Sequence, residues 1–337
     1  MLCTYIVSNG ELLTKMKVSR KPSIIITMGD PAGIGPEVVL KSLKEIVEFA
    51  DPIVICDYEF LRKTAKRLRL KVPDVFYIDM ENIGKKKIIP GKISAVCGRA
   101  SYEYIELAVR LAREKLAEAI VTAPITKGSF HAAGIKYPGH TEMLAGLTGT
   151  KDYAMMLTGD RLRVVLVTIH TSLASVPGLI KKEKILKKIT LTAKWLKKYL
   201  KIKRPVIAVA ALNPHAGEGG IFGKEEAKEI IPALKAAQKL KGVKVLGPVV
   251  PDILFYKAMK GAYDAVVCMY HDQGLIPLKM VGFETGVNIT LGLPIIRTSP
   301  DHGTAYDIAG KGLADPGSFI EAARMAARLA QSEEHLK

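Results

Sequence analysis

The chain has 337 residues, 48% of them hydrophobic, and carries a formal net charge of +17. This length exceeds the size at which one hydrophobic core usually keeps growing, so we expect two lobes with a cleft between them. No apolar run approaches the roughly 20 residues of a membrane span. The four cysteines are dispersed and the first residues do not resemble a signal peptide, so we expect a cytoplasmic protein without a membrane partner.

Much of the positive charge lies in residues 181–204, which contain eleven Lys or Arg and one acid. Apolar residues such as Ile185, Ile189 and Leu196 recur there at helical spacing, which predicts an amphipathic helix with a lysine-coated outer face. An RNA-binding groove is the alternative. Because aromatic residues are scarce and no nucleic-acid-binding motif is visible, we favour solvated helix faces and expect no nucleic-acid partner.

Strands and helices alternate along the first half of the chain. Residues 1–20 are predicted to be an extension, because the first strong strand begins at Ser23. A strand over 23–27, a glycine-rich turn over 28–35 and a helix over 36–49 follow. The alternation predicts a doubly wound parallel α/β sheet. The further predicted strands are 52–56, 75–78 and 119–122, and the further helices are 59–70, 100–116, 181–199, 224–241, 252–260 and 317–331.

Three histidines, His170, His215 and His271, each follow an apolar, β-branched run. Such runs predict buried parallel strands, and the carboxyl ends of parallel strands form the edge of a sheet where ligands bind. Neutral imidazole is a common ligand of divalent transition metals, so we predict a metal site with three histidines. Separate, hydrogen-bonded loop histidines are the alternative, since the spacing matches no local metal motif. The three runs are residues 163–169, 205–212 and 265–270.

A glycine-rich loop, residues 28–37, joins the first strand to the first helix. Its backbone N–H groups could meet an anion, but its glycine spacing fits neither the dinucleotide fingerprint nor the phosphate loop. Its glycines could either tighten the turn or allow contact with a ligand. Asp30 is interpreted either as an active-site acid or as a turn residue.

Polar residues are dense in the other predicted loops. His140 and Thr141 follow a Pro-Gly pair that exposes them, and Asp272 can orient the adjacent His271. Lys279, Asn288 and Arg297 could form a phosphate clamp. For Lys279 and Arg297 a surface position is the alternative, although Arg297 closes an apolar run and should be buried. The His-Gly-Thr turn at 302–304 could bind a nucleotide phosphate through its N–H groups.

Five motifs, taken together, resemble the 4-hydroxythreonine-4-phosphate dehydrogenase family of pyridoxine biosynthesis. The match runs in order from about residue 23 to about residue 330. The resemblance implies a fold like that of isocitrate and isopropylmalate dehydrogenases, with intertwined lobes of residues 21–140 plus 290–337 and 141–289. It also implies a homodimer whose metal site is shared between subunits. The motifs are GDPAGIGPE (29–37), PGHTE (138–142), LNPHAGEGG (212–220), MYHDQG (269–274) and VNITLGLP (287–294).

The resemblance also implies the ligands and the residues that bind them. A divalent metal ion is expected, zinc or else magnesium, cobalt or manganese, together with NAD or NADP and a phosphorylated small-molecule substrate. Asp272 and Lys279 are the candidate catalytic residues. The other implied positions are His170, His215 and His271 for the metal, His140, Thr141, Lys279, Asn288 and Arg297 for the substrate, and Asn288, His302, Gly303 and Thr304 for the dinucleotide.

The implied reaction oxidises 4-phosphooxy-L-threonine to a 3-keto acid, which loses CO₂ to give 3-amino-2-oxopropyl phosphate. Residues 122–127 and 137–145 look closer to a branch acting on D-threonate or D-erythronate 4-phosphate, which is the alternative. The chain also departs from the family after His170, where it reads TSLAS instead of the common Leu-Arg-Asp. A metal-dependent hydrolase and an RNA-binding protein are the remaining hypotheses.

Overall fold

The structure is a computed structural model that describes residues 4–5 and 21–334. It divides into two compact units. Among the described residues, the first contains those up to Thr150 and from Leu293 to Glu334, and the second contains Lys151–Gly292. The extension predicted for residues 1–20 lies outside the described residues except for a two-residue strand at Thr4–Tyr5.

The first unit is built on a parallel sheet. Its interior strands are apolar on both faces, and Ile24, Ile25 and Ile26 are all fully buried, as expected of a parallel sheet covered on both sides. The strands are β1 (Thr4–Tyr5), β2 (Ser23–Thr27), β3 (Asp51–Cys56), β4 (Phe76–Asp79), β5 (Ala119–Thr122) and β12 (Ile296–Pro300). Their order in the sheet is β1, β4, β3, β2, β5, β12, with every neighbouring pair parallel.

The helices of the first unit begin and end at residues that suit those positions. Pro36 lies in the first turn of α1, where its missing N–H is not needed. The Asp57 side chain accepts a hydrogen bond from the N–H of Phe60 and caps α2. The helices are α1 (Gly35–Ile46), α2 (Tyr58–Leu68), α3 (Ala95–Arg113), α4 (Lys127–Ala132), α5 (His140–Thr148) and α11 (Gly317–Glu334).

The second unit has a mixed sheet in the order β11, β6, β7, β10, β8, β9. Its strands are β6 (Ala154–Gly159), β7 (Leu162–Leu166), β8 (Val206–Ala210), β9 (Lys244–Val249), β10 (Ala265–Cys268) and β11 (Val287–Leu291). The three strands predicted to precede histidines are β7, β8 and β10. They are parallel, with β10 between the other two, so this prediction is confirmed.

The sheet of the second unit differs from the parallel sheet that the alternation in the first half of the chain predicts. β6 runs antiparallel to both β7 and β11. β6 and β7 form a tight hairpin in which Gly159 pairs with Leu162 and Asp160 has a positive φ of 49°. A two-residue hairpin turn of this kind favours left-handed residues such as Gly, Asn or Asp. Neither β6 nor β9 is among the predicted elements.

The helices of the second unit include one that the sequence pattern does not predict. This helix, α10, begins at His271 and contains Pro277, which normally indicates a helix break. The predicted loop after β10 is therefore the first turn of a helix. The α-helices are α6 (Val176–Leu179), α7 (Lys182–Tyr199), α8 (Ile231–Ala237), α9 (Pro251–Met259) and α10 (His271–Gly282). A 3₁₀ segment lies at Leu173–Ser175, a non-helical turn with positive φ angles lies within Pro214–Gly220, and a π-helical turn lies at Glu226–Ile230.

Among the described residues, the structure contains no helix that is both long enough and apolar enough to cross a membrane.

Candidate active site

The parallel arrangement of β7, β10 and β8 brings the segments that carry the three histidines to one edge of the second unit's sheet. The rings of His170 and His271 lie 5.6 Å apart between centroids, tilted by 42°. His215 follows β8, and its ring lies 6.2 Å from that of Phe222. Within the described part of the chain, no three His, Cys, Asp or Glu side chains converge closely enough to hold a metal ion. The site with three histidines therefore stays a prediction.

Asp272 contacts the neighbouring histidine, as its position suggests. Its Oδ1 lies 2.7 Å from Nδ1 of His271, and the Asp272 side chain is 68% exposed. A carboxylate that accepts from Nδ1–H fixes the ring and its tautomer, which leaves the Nε2 lone pair available to a ligand. This contact suits His271 to a role as a ligand.

His215 lies in an unusual backbone turn. Six consecutive residues from His215 to Gly220 have positive φ, and three of them, His215, Ala216 and Glu218, are not glycine. Each non-glycine residue in the left-handed region costs roughly 1–2 kcal/mol. The turn therefore needs stabilising contacts from outside itself.

In the first unit, Arg297 is 1% exposed, so its predicted burial is confirmed. Its Nε and one Nη donate to the Oγ1 of Thr122 at 3.2 and 2.7 Å. Burial lowers the pKa of the Arg297 guanidinium to about 9, because the charged form loses hydration. An anion beside this group would stabilise its charged form.

His140 and Thr141 begin α5, directly after Gly139. His140 is partly exposed as a whole residue, but its Nε2 is enclosed and has no hydrogen-bond partner in the protein. Burial of the ring, and then the charge of Arg297, hold the pKa of His140 well below its usual value. The imidazole is therefore neutral at physiological pH and can accept or donate one hydrogen bond to a ligand. Thr141 is 3% exposed.

The segment at residues 302–312 packs against the glycine-rich loop at residues 28–37. The carbonyl of Thr304 accepts from the N–H of Ile34 at 3.0 Å. A Cβ on Gly33 would lie 2.9 Å from that of Thr304, so this glycine permits the close approach. The Tyr306 hydroxyl donates to Asp30 at 2.8 Å. Because Asp30 also accepts from the N–H of Ala32, the structure favours the interpretation of Asp30 as a turn residue.

Two other candidate residues have polar atoms without a partner in the protein. Nε2 of His302 and Oδ1 of Asn288 are buried in this way, while Nδ1 of His302 lies 3.1 Å from the carbonyl of Gly303. A buried polar atom without a partner is costly and often marks a position that a ligand completes. Lys279 is half-buried, and its Nζ lies 5.5 Å from the centroid of the Phe283 ring.

The sequence prediction missed residues that support the candidate site. Thr122 anchors Arg297, Tyr306 anchors the segment at residues 302–312, and Glu226 binds the loop that contains His215. Of these three residues, only Glu226 lies in a sequence pattern that could have identified it as a supporting residue. It is an acid in an apolar helical pattern, directly after a loop rich in glycine.

Known proteins resemble nearly the whole chain. The sequence profile of the family described as pyridoxal phosphate biosynthetic protein PdxA matches residues 48–326. A 4-hydroxythreonine-4-phosphate dehydrogenase of Desulfosudis oleivorans is 49% identical over 325 residues, which cover 91% of this chain and 95% of that protein. A D-threonate 4-phosphate dehydrogenase of Cupriavidus necator is 47% identical over 329 residues, covering 92% of this chain and 97% of that protein.

The fold is also similar to that of a solved structure. The crystal structure of 4-hydroxythreonine-4-phosphate dehydrogenase from Klebsiella pneumoniae superposes with a TM-score of 0.85 at 42% identity, covering 93% of this chain and 99% of that one. These matches confirm the predicted α/β fold and the family resemblance. The chain belongs to the family of pyridoxal phosphate biosynthetic protein PdxA.

Proposed function

We propose that this protein is an NAD(P)-dependent dehydrogenase that oxidises the secondary hydroxyl of a phosphorylated four-carbon hydroxy acid. The resulting 3-keto acid then loses CO₂. The observation that carries this proposal is the buried Arg297 guanidinium beside the neutral His140. A cation held away from water is suited to an anionic substrate, and the relatives described above are named as dehydrogenases of phosphorylated acids.

The preferred candidate substrate is 4-phosphooxy-L-threonine, which would give 3-amino-2-oxopropyl phosphate in pyridoxal phosphate biosynthesis. D-Threonate or D-erythronate 4-phosphate is the alternative, favoured by residues 122–127 and 137–145 and by the Cupriavidus relative. The amino group at C2 distinguishes the first substrate from the others, which carry a hydroxyl there. We propose a cytoplasmic location, as for other soluble biosynthetic enzymes.

The chain's own side chains would bind and orient the substrate. Arg297 would bind an anionic group of the substrate, such as the phosphate, through charged N–H donors. His140 and Thr141 would hold the hydroxylated carbon skeleton, and the enclosed Nε2 of His140 would gain its hydrogen-bond partner from it. In the second unit, Lys279 and Asn288 are proposed for phosphate and substrate binding. Asp272 and Lys279 are the candidates for proton transfer.

The donor chemistry of the second unit fits a divalent metal ion. His170 and His271 are close enough for both rings to approach one ion, and Asp272 contacts His271 in the manner of an orienting carboxylate. His170, His215 and His271 would hold the ion, with zinc as the first candidate and magnesium, cobalt or manganese as others. When bound, such an ion supplies a Lewis acid that polarises the substrate's hydroxyl and later its ketone.

We propose a homodimer whose metal site is completed by the second subunit. This would explain why three ligands do not converge within the described residues of one chain. It is also supported by an apolar stripe that runs along α10, the helix that begins with His271, to the residue just after its end. Ile276, Met280 and Phe283 follow one another at helical spacing and are 60%, 82% and 72% exposed. Such a stripe is typical of a subunit interface.

The dinucleotide is proposed to bind at residues 302–304, with Asn288 as a further contact. The enclosed, unpartnered Nε2 of His302 fits this role. Tyr306 would hold the segment in place, since its hydroxyl contacts both Asp30 and Ser129. Burial raises the pKa of Tyr306 to about 12, so the hydroxyl remains protonated at physiological pH.

We expect Tyr306→Phe to raise the KM for the dinucleotide and to lower the free energy of unfolding by about 1–3 kcal/mol, because it leaves the buried Asp30 carboxylate without its hydroxyl donor. Steady-state kinetics and thermal unfolding measure the two effects. Tyr102→Phe is the matched control, since the Tyr102 hydroxyl donates to Glu106 at the surface of α3. An unchanged dinucleotide KM in Tyr306→Phe would show that this segment does not bind the dinucleotide.

The proposed function is tested by a substrate panel. The purified protein, reloaded with zinc or cobalt, is mixed with 4-phosphooxy-L-threonine, D-threonate 4-phosphate or D-erythronate 4-phosphate and with NAD⁺ or NADP⁺. We expect reduced dinucleotide and CO₂ in equal amounts with at least one substrate. Release of inorganic phosphate without dinucleotide reduction would instead support the metal-dependent hydrolase, and no reaction with any combination would reject the dehydrogenase.

A further inference from the structure

We infer that Glu226 is a positioning residue that holds His215 in place through the loop at residues 212–217. The inference rests on the proposed function, in which His215 is a metal ligand. Glu226 belongs to the π-helical turn Glu226–Ile230 and is 3% exposed. A carboxylate buried to this extent needs hydrogen bonds to offset its lost hydration.

The contacts of Glu226 are concentrated on this loop. Oε1 accepts from the backbone N–H groups of Leu212 and Asn213, both at 2.8 Å. Oε2 accepts from the side-chain amide of Asn213 at 2.9 Å. A Cβ on Gly217 would lie 2.8 Å from Oε2, so the carboxylate also packs against the left-handed turn itself. One side chain therefore fixes the loop on both sides of His215.

The turn requires such an anchor. His215 and Ala216 have φ of 51° and 55°, a region that residues with a Cβ rarely adopt. Without external contacts, a chain with this sequence would relax toward negative φ, and the imidazole of His215 would point elsewhere. The hydrogen bonds that Glu226 accepts offset the unfavourable free energy of the positive φ angles in this turn.

Two adjacent acids at the start of the π-helical turn bind the same side chain. Glu225 and Glu226 both accept from the side-chain amide of Asn213, at 2.8 and 2.9 Å. Single π-helical turns are frequent at functional sites, and this one directly precedes α8, whose first turn contains Pro232.

The test compares Glu226→Gln with Glu229→Gln. The glutamine at 226 is nearly the same size, but its amide nitrogen would face the amide of Asn213. Glu229 is the matched control because it lies in the same π-helical turn but accepts from the N–H of Lys182 at 2.8 Å, away from the loop. Amide hydrogen exchange of residues 215–222 is measured on the metal-free protein, and Co²⁺ affinity is measured by titration.

We expect Glu226→Gln to speed exchange in this loop at least tenfold and to weaken Co²⁺ binding by about 10–100-fold, as losing an outer-shell partner does. Glu229→Gln should leave both quantities unchanged. Ala216→Gly, added to Glu226→Gln, should recover part of the lost affinity, because glycine adopts the left-handed conformation without strain. A role in general stability alone would give no such recovery.

Each outcome decides one question. The inference would be overturned if Glu226→Gln kept the wild-type rate of amide exchange and the wild-type Co²⁺ affinity. It would also be overturned if Glu229→Gln changed both quantities as much as Glu226→Gln does. Failure of the wild-type protein to bind Co²⁺ would reject the metal site of the proposed function, while exchange in the metal-free protein would still test the hold of Glu226 on the loop. If Glu226→Gln does not fold, Asn213→Ala removes one of the three bonds and should give a smaller loss in the same direction.

Discussion

Arg297→Met is expected to lower kcat/KM for the phosphorylated substrate by about 30-fold to several thousandfold. Removing one partner of a desolvated, hydrogen-bonded charge pair typically costs about 2–5 kcal/mol. Met fills a similar volume without charge, and replacing a buried charge with an apolar side chain is often neutral or stabilising for the fold. Because burial already lowers the pKa of Arg297, we expect no loss of thermal stability.

The effect on binding can be separated from an effect on folding. Thr122→Val removes the hydroxyl to which Arg297 donates and leaves the charge of Arg297, so it should lower kcat/KM by about tenfold or less. Steady-state kinetics and competition by inorganic phosphate measure both variants. If Arg297→Met retained wild-type kcat/KM and phosphate sensitivity, Arg297 would not be the anion-binding residue.

His271→Ala is expected to remove the bound metal and to reduce turnover at least a thousandfold. His271 begins α10, its ring lies near that of His170, and Asp272 contacts its Nδ1. Losing one imidazole of a small ligand set removes the ion, and with it the Lewis acid of the reaction. Metal content per protomer and kcat are measured on the same preparation.

Two further variants calibrate this result. Asp272→Asn keeps the imidazole but weakens its orientation, so metal affinity should fall about 10–100-fold. His131→Ala removes an exposed histidine of α4 and should change neither metal content nor kcat. If His271→Ala kept both its metal and its turnover, the proposed metal site would be wrong.

Much of the fold is predictable from the sequence, because buried strands leave a strong local signal. The runs ending near Ile169, Leu212 and Tyr270 are apolar over most of their length, and they become β7, β8 and β10. The sequence pattern does not predict α10 or β9. Pro277 indicates a break although α10 continues past it, and β9 is only partly buried, so its apolar signal is weak.

The candidate site is predictable as a set of residues but not as a geometry. The burial of Arg297 follows from its place at the end of an apolar run. The left-handed turn at His215 does not, because Ala216 and Glu218 ordinarily disfavour the positive φ that they have there. The network of Asp30, Tyr306 and Ser129 joins residues far apart in the chain, which local patterns do not encode.

The first unit is formed by two segments of the chain, one before and one after the second unit. This arrangement has a consequence for folding during synthesis on the ribosome. β5 and β12 are neighbours in its sheet, yet the contact between Thr122 and Arg297 spans 175 residues of chain. The second unit is continuous, and its two ends are adjacent, since a Cβ on Gly292 would lie 2.2 Å from the carbonyl oxygen of Asp152. During vectorial synthesis the second unit is complete before β12 emerges, so the first unit closes its sheet last.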